Sequence, residues 1–301
     1  MSTPVSFPPK SLSQLRKLPS LLKRGEITLP MGKRLLVALC LMLDDPQLVA
    51  THTITELAEA TGVSPASLTR LAKLLGFTGF VQFQALFRHA VSEPGRYYSE
   101  QATALVSSDQ NSSLSSRINS HCQRQTENLL RTAEHLSESE LDKAARLLVK
   151  AKRVRIAGRR QSYGLAAMFN YMLGLIRGGV GVVGAAGEGQ AQTLAELDSR
   201  DLLVMFGSEP YSRDSVTLAQ LACELKLPLL ALTDSYHSPL AQLADASLLT
   251  QNASPLYTNS MVATVFMMET LLLHTARQLG DKAVAQLSRR EELINRLNDE
   301  F

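Results

Sequence analysis

Two runs in the C-terminal half of the chain set guanidinium groups beside hydroxyls. AGRRQSYG (157 to 164) carries Arg159, Arg160 and Ser162, and FGSEPYSRDS (206 to 215) carries Ser208, Ser212, Arg213 and Ser215. An Arg fork fits the oxygens of a carboxylate or phosphate, and hydroxyls with backbone amides complete a cradle, so this is anion-binding chemistry. Ser162 suits either a ligand contact or a helix cap. Asn259 and Ser260, near the start of a long apolar segment, are placed to close such a pocket from a neighbouring subunit. A third group lies near the N-terminus, where Ser64, Ala66, Ser67, Thr69, Arg70 and Lys73 share the outward face of one helix. Cations among small polar residues at that spacing suit a nucleic acid. Arg70 fits paired hydrogen bonds to a guanine or a single phosphate contact, Lys73 fits phosphate, and Ser64 is an N-cap first and a phosphate donor second.

Other chemistries find little support. Glu188, Glu209 and His237 are acid–base types, yet no pairing among them is evident, and His237 beside a helix start reads equally as a cap or a surface residue. There is no Ser-His-Asp pattern and no P-loop, so no catalytic residue is assigned. Cys40, Cys122 and Cys223 are widely spaced and odd in number, which supports neither a disulfide framework nor a zinc site. Gly179-Val-Gly181-Val-Val-Gly184 spells a dinucleotide fingerprint, but the glycines follow a helix and lie inside a β-rich run instead of opening a helix. No cofactor and no metal are expected. No stretch approaches the roughly 18 apolar residues of a membrane span, and MSTPVSFPPK lacks the apolar core of a signal peptide. The expectation is a reduced, cytoplasmic protein that contacts no membrane.

The elements that must hold these groups fall into two textures. The chain has 301 residues, 45% hydrophobic and 20% charged, enough for two ordinary domains. Residues 1 to 95 hold ten Lys and Arg against six Asp and Glu, a net +4, which leaves −1 for the rest. The first 29 residues read as a mobile arm ending in a short helix. Its Arg16, Lys17, Lys23 and Arg24 suit a solvated tail or an arm that contacts the DNA backbone or minor groove. Helical patterns then run to about Val91, forming an all-α domain over 1 to 92. A helical connector follows over 93 to 150, with a Ser-rich stretch at 107 to 116 and helices at 114 to 135 and 138 to 150, the second capped by Ser137 with Glu140. From Arg153 short β-branched runs alternate with helical ones. Strands are expected at Val154–Ala157, Val180–Val183, Leu202–Phe206, Leu229–Thr233 and Ser247–Thr250. That alternation predicts an α/β doubly wound parallel sheet over 151 to 280, with a long helix at about 257 to 279 and a last amphipathic helix over 281 to 301.

The most specific constellation is ITELAEATGVSPASLTRLAKLLG, from Ile54 to Gly76. A helix-turn-helix needs a small residue where its helices cross, a turn residue tolerant of positive φ, and apolar residues that lock the second helix. Ala58, Gly62, and Leu68 with Leu71 fill these roles at the usual spacing. Thr53 with Glu56 forms a capping box, and Ser64 followed by Pro65 starts the second helix. The continuation VSPASLTRLAKLLGFTGFVQFQ, with Gly76, Phe77, Gly79 and Phe80 after the second helix, resembles the RpiR-type regulators.

The resemblance extends over essentially the whole chain and implies a sugar-isomerase (SIS) domain after the connector. SIS domains usually read Gly-x-Gly-x-Ser in the first loop and Ser-x-Ser-Gly-x-Thr in the second. Here the first loop keeps Gly158 and Ser162 but has Arg160 at the second glycine. The second has Gly207, Glu209 and Pro210 in place of both serines and the glycine, with Ser212 at the closing Thr. Glu209 would repel a phosphate in the usual position. Residues 229 to 245, with Thr233-Asp234 and Ser238-Pro239, match the family's stretch, and Ser238 and Pro239 make a helix start. The implied function is a DNA-binding transcriptional regulator controlled by a small anionic metabolite, a sugar phosphate or related acid. Its partners are a double-stranded operator and its own copies, as a homodimer or homotetramer, and metabolite binding between SIS domains would shift the DNA-binding heads through the connector. The rival function is a sugar-phosphate isomerase or sugar-binding enzyme with an appended helical domain. The spacing at 54 to 76 serves no purpose in such an enzyme.

Overall fold

The structure, a computed structural model, describes residues 7–9, 11–23, 25, 27–92, 97–107, 113–184, 189–236 and 238–298. The chain divides into two compact units, Met1–Tyr97 and Tyr98–Phe301.

The first unit is helical: α1 (Leu12–Lys23), α2 (Lys33–Asp44), α3 (Pro46–Thr51), α4 (Ile54–Thr61), α5 (Pro65–Leu74) and α6 (Phe80–Ser92). Its core gathers Leu39 and Met42 of α2, Val49 of α3, Leu57 and Ala58 of α4, Leu68, Leu71 and Ala72 of α5, and Phe83 and Phe87 of α6. Phe83 anchors the cluster, with Phe77, Phe80 and Phe87 ring centroids 5.5, 5.7 and 5.1 Å away. The N-terminal arm departs from expectation. Leu15 and Leu18 of α1 are fully buried in the same core, and Arg16 donates from Nη2 to the Leu43 carbonyl at 3.3 Å. Leu12, Leu15 and Leu18 recur every three residues, and burying them outweighs the Pro, Ser and Lys around them. Arg16 is therefore committed internally. The side chains of Lys17 and Lys23, and all of Arg24, lie outside the described residues.

In the second unit α7 (Tyr97–Ser107), α8 (Leu114–His135) and α9 (Glu138–Lys150) precede a five-stranded sheet. Its elements run β1 (Val154–Gly158), α10 (Ser162–Ile176), β2 (Val180–Val182), α11 (Gln190–Ala195), β3 (Leu202–Phe206), α12 (Arg213–Glu224), β4 (Leu229–Thr233), α13 (Pro239–Leu243), β5 (Ala246–Leu249), α14 (Val262–Leu279) and α15 (Asp281–Leu297). All strand pairs are parallel, in the order β2-β1-β3-β4-β5. Side-chain alternation splits each strand between two cores. Leu202, Val204 and Phe206 face α9, α10 and α14, whereas Leu203 and Met205 face α11, α12 and α13. Two helical layers around an all-parallel sheet are the α/β doubly wound architecture expected. The strands fall where the β-branched runs put them, with β5 starting one residue earlier and α14 starting at Val262. Ser137 caps α9 by accepting from the Glu140 amide at 3.1 Å, but the Glu140 carboxylate turns to the Tyr236 hydroxyl at 2.9 Å. Gly179 and Gly184, with positive φ, flank β2 and open no helix, so the fingerprint-like glycines serve turns.

Candidate functional site

The first unit presents a rigid two-helix motif. Thr53 and Glu56 form a reciprocal capping box at α4: Thr53 N donates to Glu56 Oε2 at 2.7 Å, and Glu56 N donates to Thr53 Oγ1 at 3.3 Å. The Thr53 amide, followed by its hydroxyl, holds the Glu56 carboxyl below the usual carboxylate range. Gly62 ends α4 in the left-handed region, φ 68°, a conformation that costs a side-chain-bearing residue about 1–2 kcal/mol. Ser64 then caps α5, its Oγ accepting from Ser67 N at 3.2 Å, ahead of Pro65 in the first turn. Leu68 and Leu71 point inward and are fully buried, while Ala58 is nearly so where the helices pack.

The opposite face of α5 is open. Ala66, Arg70 and Lys73 are exposed, and Ser67 and Thr69 are half-buried. Ala66, Thr69, Arg70 and Lys73 border one shallow depression with Leu74. Ser64 Oγ is occupied by its cap and by Ser67 Oγ at 2.9 Å, and Thr69 Oγ1 donates to the Pro65 carbonyl at 3.1 Å. Neither Arg70 nor Lys73 forms an ion pair among the described residues.

In the second unit, the strand order reverses beside β1. The chain leaves β1 for β2 on one side, then crosses to β3 on the other, which opens a crevice at the carboxyl ends of β1 and β3. A narrow cleft lies there. The loop after β1 brings Arg159, Arg160 and Ser162 to it. The loop after β3 brings Ser208 and Ser212, and Asn259 arrives from the segment before α14. Arg159, Arg160, Ser162, Ser208, Ser212, Ser215 and Asn259, all singled out for anion binding, thus converge. Arg213 does not: it opens α12, is exposed and is not part of the cleft lining. Asn259 belongs to the cleft of its own chain and needs no neighbouring subunit to reach it, because β5 delivers its loop back across the β3 end. Ser260 instead donates to Gln125 Oε1 at 2.5 Å.

Three physical features define this cleft. Gly158 lets the first loop pass tightly under α10, since a Cβ there would sit 2.2 Å from the Ser162 carbonyl oxygen. Arg160 has φ 53°, the left-handed conformation that a glycine at this position supplies without strain. The departure from glycine therefore changes the side chain while keeping the backbone turn. Asp234 organises the second loop: it accepts from Glu209 N at 3.1 Å, the Tyr211 hydroxyl at 2.5 Å and Asn252 Nδ2 at 3.2 Å. Asn259 Nδ2 donates to Ser208 Oγ at 3.2 Å and to the Glu209 carbonyl at 2.5 Å, while the Asn259 carbonyl accepts from Gln161 Nε2 at 2.7 Å.

The hydroxyls left over are informative. Gln161 takes the N-cap position of α10, so Ser162 is not a cap, and its largely buried side chain lines the cleft. Ser212 is the N-cap residue of α12 by position, yet its hydroxyl makes no capping bond. Arg159 lines the cleft with its Nη2 buried and unpartnered. A buried donor without an acceptor is costly, about 1–3 kcal/mol and more for a charged group, so an anion seated here would be favoured. Tyr98, Gln161 and Tyr211 also line the cleft and were not singled out in the sequence, whereas Ser215, which was, lines it as well. Gln161 and Tyr211 belong to loops already flagged, whereas nothing in the sequence links Tyr98 to a loop some 60 residues on. Glu209 lines the cleft; Glu188 and His237 lie outside the described residues. Elsewhere, Arg153 pairs with the fully buried Asp201 at 2.7 Å, a structural tie between the starts of β1 and β3.

Residues 38–94 match the model of the helix-turn-helix domain of the rpiR family, and residues 147–274 match that of the SIS domain. The chain belongs to the RpiR family. An HTH-type transcriptional regulator of Thermotoga maritima is 27% identical over 212 residues, covering 69% of this chain and 73% of the relative. One of Clostridium perfringens is 22% identical over 254 residues, covering 82% and 88%. The sugar isomerase domain of an RpiR transcription factor from Sphaerobacter thermophilus superposes with a TM-score of 0.55 at 26% identity, covering 57% of this chain and 97% of that domain. The NanR protein of Vibrio vulnificus, solved with ManNAc-6P, shares the fold over 94% of this RpiR-family chain and 98% of its own (TM-score 0.51, 20% identity). Among the described residues, no helix is long and apolar enough to cross a membrane.

Proposed function

We propose that this RpiR-family protein binds an operator through α5 and that a small anionic metabolite in the β1–β3 cleft controls its operator affinity. The observation that carries the first half is the face of α5, where Arg70 and Lys73 stand exposed on a helix capped and locked from behind. Arg70 reads a base or sets register on phosphate, and Lys73, Ser64, Ala66, Ser67 and Thr69 line the approach. The second half is supported by the convergence of Arg159, Arg160, Ser162, Ser208, Ser212 and Asn259 at the switch point, with the buried Arg159 nitrogen awaiting an acceptor. The protein works as a homodimer or homotetramer in the cytoplasm, with half-sites about 34 Å apart or a multiple of that. It performs no catalysis.

The test is selection of bound DNA from a random pool, followed by gel-shift titration of the selected site. Arg70→Ala is expected to weaken operator binding about 10- to 100-fold, the range of a lost bidentate base contact or key phosphate anchor, with unchanged thermal unfolding. Equal affinity of the variant and the unmodified protein would remove α5 from the interface. A thermal-shift panel containing N-acetylmannosamine 6-phosphate, glucose 6-phosphate, gluconate and inorganic phosphate tests the second half. At least one should raise the melting temperature by several degrees at saturation.

A further inference from the structure

The two loops that meet in the cleft are furnished differently. On the β1 side Arg159 and Arg160 bring two guanidinium groups to the lining, and the buried Arg159 Nη2 has no acceptor. The helix that follows, α10, has no side-chain cap and no acidic residue in its first turn, so the positive end of its dipole is left for another anion. On the β3 side the backbone donors are largely spent. Gly207 N donates to the Leu232 carbonyl at 3.2 Å, Glu209 N donates to Asp234 Oδ2 at 3.1 Å, and Pro210 has no N–H to give. The helix after this loop, α12, already carries Asp214 in its first turn. What the β3 side brings to the cleft is Ser208, Ser212 and Ser215 beside the acidic Glu209. The Glu209 backbone is held on both sides, its amide by Asp234 and its carbonyl by Asn259 Nδ2 at 2.5 Å, so this residue is a fixed part of the wall.

We propose that the cleft selects a polyhydroxy monocarboxylate, a sugar acid, and rejects phosphate esters. This rests on the reading of the cleft as the effector site and narrows it to one class of anion. The charged residues in the lining are Arg159, Arg160 and Glu209, two cations against one carboxylate, a net +1. A sugar acid brings one negative charge, whereas a phosphate monoester brings about 1.5 to 2 at pH 7. The planar carboxylate meets Arg159 Nη2 and its guanidinium fork from the α10 side, with no need of a second clasp. A phosphate has three oxygens to satisfy, and the β3 loop that would hold them has already given amides to Leu232 and Asp234. With the anion held on the β1 side, the rest of the molecule extends its hydroxyls toward Ser208, Ser212 and Glu209. The Glu209 carboxylate repels a dianion but accepts a hydrogen bond from a hydroxyl. One residue therefore both admits the polyol and excludes the ester.

The test is calorimetric titration of the full-length protein with matched pairs: gluconate against glucose 6-phosphate, mannonate against mannose 6-phosphate, and galactonate against galactose 6-phosphate. At least one acid is expected to bind, about tenfold or more tighter than its phosphate partner, the size of a close like-charge contact in a partly desolvated site. Glu209→Gln keeps the side chain's shape and removes its charge, and Glu209→Ser restores the serine that SIS domains usually have there. Either change should raise the affinity of the phosphate ester about tenfold or more, and E209Q should hold the acid to within about threefold. Arg159→Gln should abolish binding of the acid. A phosphate ester that binds the unmodified protein as tightly as its acid partner overturns the proposal while the cleft keeps its role as effector site. So does an acid-to-ester preference that survives both Glu209 variants, or an acid that binds Arg159→Gln undiminished. If neither class binds the unmodified protein, the effector reading fails first and this proposal with it.

Discussion

The two ends of this molecule handle polarity in opposite ways. On α4 and α5 the backbone is closed off: caps at Thr53 and Ser64 satisfy the free amides, Gly62 makes the turn, and Leu68 and Leu71 lock the helix from behind. The cations on the outer face, Arg70 and Lys73, stay exposed to water. In the β1–β3 cleft the order is reversed. The scaffold leaves no room for a side chain at Gly158, but Arg159 Nη2 is buried unmet and the Ser212 hydroxyl leaves its helix end uncapped. A surface that meets a polyanion can leave its charges solvated. A site that must tell one small solute from another has to hold desolvated groups in wait, at a cost that the solute offsets.

The contrast can be broken by attacking each end's support separately. The largest effect is expected from Leu68→Ala, which empties a fully buried site behind α5. It should lower the stability of the first unit by about 2–5 kcal/mol in urea unfolding and weaken operator binding only as the unit unfolds. Next comes Gly158→Ala. A methyl group facing the Ser162 carbonyl must push α10 off the strand, costing about 1–3 kcal/mol, and should abolish the thermal-shift response while leaving operator binding intact. Retained response would show that the close approach does not shape the cleft. Ser64→Ala should cost about 1 kcal/mol through the lost cap, with a small drop in operator affinity that scales with it. The smallest effect is in the pH dependence. Burial raises the Asp201 carboxyl, but hydrogen bonds from Arg153 and from the Asp198 amide outweigh it, and the net position lies below the ordinary carboxylate value. A lowered folded-state pKa means the stabilisation is complete above about pH 4 and is lost as pH falls through the folded value. Asp201→Asn should therefore flatten the acid limb of the unfolding profile, read by circular dichroism. An unchanged limb would assign acid sensitivity elsewhere.

Legibility in the sequence followed the range of the interactions. The helix-turn-helix was readable because its determinants are local: a capping box three residues long, a turn glycine, and buried leucines at helical spacing. The strands were readable because each is a short β-branched run between helical stretches. The arm misled because its composition pointed to solvent, while the three-residue recurrence of Leu12, Leu15 and Leu18 pointed to a core and carried the greater energy. At the cleft, the loops after β1 and β3 could be named from their place after strands. Tyr98 could not, since it reaches them through tertiary packing with no pattern linking the positions. Asp234 lay within a stretch that matched the family, yet its work, holding the Glu209 amide and the Tyr211 hydroxyl together, is visible only in three dimensions.

That aspartate has a kinetic corollary. Because its carboxylate ties the Glu209 amide and the Tyr211 hydroxyl of the β3 loop to Asn252 beyond β5, that wall of the cleft is shaped before any solute arrives, and the loop has little chain entropy left to lose on capture. Rival metabolites should then enter at similar rates and be sorted by how long they stay. If the proposed function holds, a promoter under such a protein tracks residence time and answers slowly to the withdrawal of its best-fitting signal.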